Sequence, residues 1–327
     1  MGQDILIIDA AHLSDAGLNE VLTKAVELNV PVLIRKYSAR FGPMGRKKLT
    51  SDILAYLIYQ NENGRPAATC QVQGAEEKKF EYSFLIDYFK SPPNLREEIL
   101  NMLDNPVESD SNLTAAFESP EAIQTRDVTG FGIECPIDSH CLRAGVKIPS
   151  YRRWLLVGSQ YSVSGFHRDA KGFWTAVELQ TGSKDWFWAE PNEENVDHLR
   201  EHYQYNSISK FTKVYHIHLD PGDLFIMNPG IIHAVVTTRD SIAAGSHFLL
   251  PETLDRSIRL AKEDIGHHHL TNDPSGDGRK LYFQLLKVRP GFVSSRSRTD
   301  QTDNPSLGHS KDEYCANQWC KSFALGM

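Results

Sequence analysis

No stretch of the 327-residue chain runs for about 18 residues without a polar or charged interruption, so nothing in it reads as a bilayer-spanning helix. The segment Met1 to Ala11 lacks the positive start and long apolar core of a secretion signal. The chain opens Met-Gly, but Leu6 stands where an N-myristoylation motif needs Ser or Thr, which argues against that anchor. Positive charge is also short. Lys and Arg number 35 against 42 Asp and Glu, a net charge of −7, so there is no overall basic field to hold nucleic acid or an anionic membrane. Cysteine is sparse: Cys70, Cys135, Cys141, Cys315 and Cys320 are an odd, scattered set that fits reduced thiols, not a disulfide framework. An intracellular protein, nuclear or cytoplasmic, is expected. No internal repeat is present, and nothing in the composition reveals an oligomeric state.

What is present divides into three textures. Residues 1–150 read as a helical and mixed α/β lead-in that packs on the β-rich segment after it. Ser14 can cap a helix through Leu18, Val21, Leu22, Ala25 and Val26. Pro31 to Ile34 is a short β-prone run, and a second helix is expected from Ser51 to about Asn61, broken by Gly64, Arg65 and Pro66. Tyr82 to Phe89 and Leu95 to Leu103 read as strand or helix. Residues 151–255 carry short runs rich in aromatic and β-branched residues: Trp154–Val157, Trp174–Leu179, Trp186–Trp188, Val214–Leu219, Leu224–Met227 and Ala234–Thr237. Gly, Pro, Asn and Asp separate them, as in a β-sandwich or barrel. Residues 256–327 look helical again around Ile258, Leu260 and Ala261 and over Leu281–Val288, with a mobile segment over Gly291–Leu307. Two tempting metal patterns are discounted: Cys315, Cys320 and His309 lack knuckle spacing and a fourth ligand, and His267-His268-His269 adjoins a loop signal.

The chemistry concentrates in the β-rich segment. His167 and Asp169 flank Arg168, and on a strand residues two apart project to one side, so an imidazole and a carboxylate can meet one ion. His233, after PGDLFIMNPGII and before AVVTT, is the best third ligand. Two His and one carboxylate on one face leave positions open for a cosubstrate and oxygen, the donor set of non-haem Fe(II) oxygenases; zinc could use the same side chains. His-Arg-Asp also opens the kinase catalytic loop, but Trp174 stands where that loop needs Asn, and no Gly-rich phosphate loop is present. Lys184, in TGSKDWFWAEP, has two readings by itself. It is either a charge at a hairpin end or the cation that pairs the far carboxylate of an iron-chelating dicarboxylate, a charge that could not be buried alone. His216 and His218 read as partly exposed strand residues, and Trp174, Trp186 and Trp188 as core or pocket wall.

Taken together, Ser164, His167 and Asp169, then Gly182-Ser183-Lys184 with Trp186 and Pro191, and finally Pro229-Gly230-Ile231-Ile232-His233, make Arg153 to Leu250 resemble a jumonji-C (JmjC) domain. The resemblance implies an α+β fold, mainly β at its core: a double-stranded β-helix, or cupin-type jelly-roll barrel, with the α/β lead-in before it and helices after it. It implies Fe(II) held by His167, Asp169 and His233, with 2-oxoglutarate gripped by Lys184 and Ser164 and O2 as oxidant. His247 occupies a position where relatives place a polar residue near the cosubstrate; a satisfied core histidine is the other reading. Two departures stand out. Ser164 lies three residues from His167, so a bend near Gly165 must intervene if both are to face one pocket. Many relatives carry a Tyr where this chain has Val177, and Thr175 or Tyr161 could substitute. The implied reaction is oxidative decarboxylation of 2-oxoglutarate to succinate, coupled to hydroxylation of a C–H bond. On an N-methyl group the hydroxylated product falls apart and the outcome is demethylation. The expected substrate is a protein or peptide, a basic histone tail being compatible with the acidic chain; a small metabolite, or a catalytically silent cupin-like binding protein, is the alternative.

Overall fold

The computed structural model describes residues 4–41, 52–106, 123, 126–127, 153–169, 172–202, 210–267 and 270–271, all within the unit Met1–Val288. His268, His269, Leu281–Val288, the Gly291–Leu307 segment, His309, Cys315 and Cys320 lie outside the described residues. Among the described residues no helix is long and apolar enough to cross a membrane.

The lead-in folds much as its patterning dictates. Strand β1 (Leu6–Asp9) is followed by helix α1 (Asp15–Leu28), whose N-terminus is capped by the Ser14 hydroxyl accepting from the Gly17 N–H at 3.0 Å. Helix α1 buries Leu18, Leu22 and Ala25 on one face and stops at Asn29, in the left-handed region at φ 55°. Strand β2 (Val32–Arg35) then pairs in parallel with β1. Helix α2 (Ile53–Glu62) is capped by Asp52, strands β3 (Ala67–Val72) and β4 (Lys78–Glu81) form a hairpin, and helix α3 (Tyr82–Lys90) follows. Of the two segments whose type was open, Tyr82–Phe89 is thus helical, and Leu95–Leu103 runs from the end of a short 3-10 turn, Pro93–Leu95, into strand β5 (Leu100–Pro106).

The β-rich segment contains β6 (Arg153–Gly158), β7 (Val163–Arg168), β8 (Trp174–Ala189), helix α4 (Glu193–His202), β9 (Val214–Leu219), β10 (Leu224–Met227), β11 (Ile232–Phe248) and helix α5 (Leu254–Gly266). Two strands are far longer than the sequence runs implied. Trp174–Leu179 and Trp186–Trp188 belong to one strand, β8, and Ala234–Thr237 is the first part of β11. Each of these strands serves two sheets. The C-terminal half of β8 pairs with β9 and with Ile232–Thr237 of β11, while β7 covers the other side of β11, giving the order β9-β8-β11-β7. The N-terminal half of β8 pairs with β10 and with Ile242–Phe248 of β11, in a sheet of order β1-β2-β10-β8-β11-β6-β5-β3-β4. That arrangement is a double-stranded β-helix, but among the described residues not a closed barrel: β1 and β4 remain edges. The lead-in is continuous with the core, since β2 pairs with β10 and β5 with β6.

The crossing between sheets is marked by successive register shifts in β11 between Thr237 and Ala243. Gly182 sits opposite that bend at φ 80°, where an added Cβ would collide with the Asp240 carbonyl. Arg96 holds the bend from outside with both terminal nitrogens on the Asp240 carboxylate, each at 2.7 Å. Between the sheets lies a core of Trp154, Val177, Leu179, Trp186, Phe225 and Met227. Val177 is therefore a packing residue, paired across to Phe225 and Gly245. Helix α4, which the sequence pattern did not announce, covers the outside of the smaller sheet with Leu199.

Candidate metal and cosubstrate site

His167, at the end of β7, stands directly across the ladder from His233, at the start of β11. Asp169 is the first residue past the end of β7. The His233 Nε2 lies 3.9 Å from Asp169 Oδ1, the two imidazole centroids are 4.3 Å apart, and one ligand atom from each of the three residues lies within 4.8 Å of the others. Donors bonded to one ion at about 2.0–2.2 Å stand roughly 3 Å apart, so the cluster needs only a small contraction to share a cation.

The imidazoles are oriented by their own strands. His167 Nδ1 lies 2.7 Å from the Gly165 carbonyl oxygen and His233 Nδ1 lies 3.4 Å from that of Ile231, so with Nδ1–H donating, each Nε2 is left as a lone-pair donor toward the cluster. Burial, together with the neighbouring His167, pushes the His233 pKa down to about 4, so the ring is neutral at pH 7, the form that binds metal. Burial alone would raise the Asp169 carboxyl, but the imidazoles of His233, His247 and His167 and the Thr175 hydroxyl outweigh it and hold the group below the usual carboxylate range. Trp186 stacks on His233 with ring centroids 5.5 Å apart and forms a wall of the site; Trp174 and Trp188 are core.

Lys184 is 2% exposed, and its ammonium donates to Thr237 Oγ1 at 2.8 Å; among the described residues no carboxylate pairs with it. Burial pushes its pKa down to about 8. The hydroxyl of Ser162 reaches the same Thr237 oxygen at 2.9 Å, and Gly158 packs tightly against this polar cradle: a Cβ there would come within 2.8 Å of Thr237 Oγ1 and 3.2 Å of Lys184 Nζ. Lys184, Trp186 and Trp188 alternate on one face of β8, opposite Thr237, Val235 and His233 of β11, so the ammonium and the His233 ring share that face. Four residues of strand separate their positions, roughly 13 Å of backbone, which the Lys side chain and a dicarboxylate can bridge between them.

The spacing of Ser164 is resolved by a β-bulge. His167 pairs with His233 but Ser164 pairs with Val235, so three steps of β7 match two of β11 and both side chains return to one face. Ser164 Oγ accepts from Asn101 Nδ2 at 3.4 Å, and Asn101 is buried with its Oδ1 lacking a partner among the described residues. Thr175 and His247 are brought to the His167/Asp169/His233 cluster: the Thr175 hydroxyl donates to Asp169 Oδ2 and lies 3.0 Å from His247 Nδ1. The Tyr161 side chain is left 59% exposed on a left-handed residue, φ 74°, between β6 and β7. His216 and His218 face away from the cluster and both contact Asp185, at 3.1 and 2.7 Å, as partly exposed strand residues. Asn101, Gly158, Ser162 and Thr237 were not singled out from the sequence, because each enters from a different strand or turn and none stands in a local motif.

The donor set suits a divalent transition metal, and a buried cation that no carboxylate pairs among the described residues suits an acidic ligand; the residues present fit Fe(II) and 2-oxoglutarate. Residues 162–255 match the family model described as JmjC domain. This segment is a JmjC domain. It contains His167, Asp169, Lys184 and His233, whereas Asn101 and Gly158 of the cradle come from before it. The chain is also similar to curated proteins named JmjC domain-containing histone demethylation protein 1. It is 25% identical over 190 residues to the one from Debaryomyces hansenii, covering 53% of this chain and 35% of the relative. It is 25% identical over 191 residues to that of Candida albicans and 24% over 188 residues to that of Saccharomyces cerevisiae, in each case covering 38% of the relative. The chain therefore spans little more than a third of the length of these relatives.

Proposed function

We propose that the chain is an Fe(II)- and 2-oxoglutarate-dependent oxygenase that demethylates a methyl-lysine of a protein, a histone tail being the first candidate. The observation that carries this reading is the pairing of an oriented His167/Asp169/His233 cluster with Lys184, a buried ammonium whose partner among the described residues is a hydroxyl. The named activity of the similar proteins supports the substrate class, and the net charge of −7 is compatible with a basic tail. A histone substrate would place the chain in the nucleus.

In this proposal His167, Asp169 and His233 hold the metal, whose chemistry with 2-oxoglutarate and O2 is oxidation of a substrate C–H bond with release of succinate and carbon dioxide. The protein's own part is positional. His233 and His167 present neutral Nε2 atoms, and Thr175 holds the second Asp169 oxygen so that the first stays aimed at the cluster. Lys184, Thr237 and Ser162 bind and orient the far carboxylate, with Ser164 and Asn101 supplying further polar contacts. Trp186 excludes water from one side of His233.

The test is succinate release by the purified chain with Fe(II) and 2-oxoglutarate, followed by mass analysis of di- and trimethyl-lysine histone peptides. Loss of methyl groups that depends on His167 supports the proposal. Succinate without peptide turnover, but with oxidation of a small metabolite, would move the substrate class. No succinate under any condition would leave a silent cupin-like binding protein.

A further inference from the structure

The residue between the two ligands at the end of β7 is as deeply buried as any in the site. Arg168 is 2% exposed and projects to the opposite face from His167, toward helix α5. Its two terminal nitrogens reach Glu263 Oε2 and Asp264 Oδ1, both at 2.9 Å, and Glu263 is shared with Arg200 of α4. A forked guanidinium spread over two carboxylates from consecutive residues fixes direction as well as charge. The backbone of Arg168 is held too, by a bridge to Thr271 just beyond the helix.

Two other contacts from α5 fall on the chain three residues from the remaining ligands. Gly172, three residues past Asp169, packs so closely on the Ser257 backbone that a Cβ would collide with it. Gly230, three residues before His233, sits on Leu260, where a Cβ would come within 2.8 Å of the side chain. Trp174, which opens β8, donates its indole N–H to Thr253 at the start of the helix at 2.8 Å. One helix thus touches the chain within three residues of each ligand, while most of it lies past residue 255, where the JmjC match ends.

We infer that Arg168 is a positioning residue for the metal cluster, and that α5 is the plate against which His167, Asp169 and His233 are set to a common spacing. The inference rests on the proposal that this cluster binds a metal. Arg168 itself contacts neither metal nor substrate; it holds the strand whose two neighbouring side chains do the binding. Lys at this position keeps one charge but cannot fork to both carboxylates, so the strand end gains freedom to rotate about its axis.

The experiment titrates the purified chain with Co(II), reading affinity and the visible absorption bands, in Arg168→Lys, in the double variant Glu263→Gln/Asp264→Asn, and in Arg35→Met. The last strands the buried Asp223 carboxylate next to β10 and serves as a control for general destabilisation. The expected result is about tenfold or greater loss of Co(II) affinity with shifted bands in both α5-clamp variants, and parent-like binding in Arg35→Met despite a lower Tm. A folded clamp variant with the parent's affinity and spectrum would overturn the inference. Hydrogen exchange on the unmodified chain needs no variant to fold: Co(II) should slow exchange in the last turn of α5, and an unchanged α5 would equally overturn it. Loss of Co(II) binding in His233→Ala alongside unaffected clamp variants refutes only this inference. A parent chain that binds no Co(II) refutes the metal site itself.

Discussion

Replacing Lys184 by Met separates the cosubstrate role from a structural one, because the two predict opposite signs for stability. In the unfolded chain the ammonium keeps its ordinary pKa of 10.5, and in the fold burial lowers it to about 8. The unfolded state therefore binds more protons between pH 8 and 10.5; stability rises with pH across that window, and the penalty is fully present below pH 8. At 1.36 kcal/mol per unit, holding the charge in the fold at pH 7 costs about 3 kcal/mol, offset by roughly 1 kcal/mol for the bond to Thr237. Met fills nearly the same volume without the charge, so Lys184→Met should raise the stability of the ligand-free protein by roughly 2 kcal/mol. Its Tm should climb by a few degrees, with most of the gain gone by pH 10.5. The same variant should bind 2-oxoglutarate or N-oxalylglycine at least about thirtyfold more weakly, since an uncompensated buried carboxylate costs about 2–5 kcal/mol. Mn(II) binding in the absence of either should be unchanged. Differential scanning calorimetry across pH 7 to 10.5 and isothermal titration with Mn(II) and N-oxalylglycine provide the readout. A variant that is less stable than the parent by several kcal/mol, or that keeps the parent's N-oxalylglycine affinity, would show Lys184 to be a structural cation.

Three further outcomes are expected. His233 is held neutral down to about pH 4 while the unfolded ring protonates near 6.5, so ligand-free stability should fall by about 3 kcal/mol as pH drops from 6.5 to 4; His233→Asn should flatten that part of a pH–denaturation profile while abolishing Co(II) binding. Gly158→Ala should place a methyl in the cradle beside Thr237 and Lys184 and raise the 2-oxoglutarate KM about tenfold or more with Mn(II) affinity intact; an unchanged KM would put the cosubstrate elsewhere. Thr175→Val should free the second Asp169 oxygen and weaken Mn(II) binding by about tenfold, the scale typical of removing an outer partner of a metal ligand; unaltered Mn(II) affinity in a folded variant would remove that role.

Local chemistry carried much of the lead-in. The cap at Ser14 and the helix over Leu18, Leu22 and Ala25 could be read directly, because capping and periodicity act within a few residues. The lengths of β8 and β11 could not. Ser183 and Thr181 beside Gly182 look like a hairpin end, and only pairing with β11 on one side and β9 or β10 on the other keeps the strand extended through them. Helix α4 was missed for a related reason: Glu193–His202 is mostly charged, and its few apolar residues find their use only when laid on the smaller sheet.

For the site, the sequence by itself determined the donors. His167 and Asp169 two apart on a strand, His233 after a turn, and Lys184 next to an apolar run are chemical facts about short segments. Tertiary structure alone decided how they meet. The bulge that turns Ser164 to the side of His167 comes from the register of β7 on β11, and the surroundings of Lys184 are the hydroxyls and glycine that other parts of the chain bring around it. Arg168 shows the difference most plainly. In the sequence it is a spacer between two ligands, and only the packing of α5 against β7 gives its charge two carboxylates to hold. Short-range geometry is written in neighbouring residues, whereas charge compensation in a buried site depends on groups far along the chain, whose proximity is a product of the whole fold.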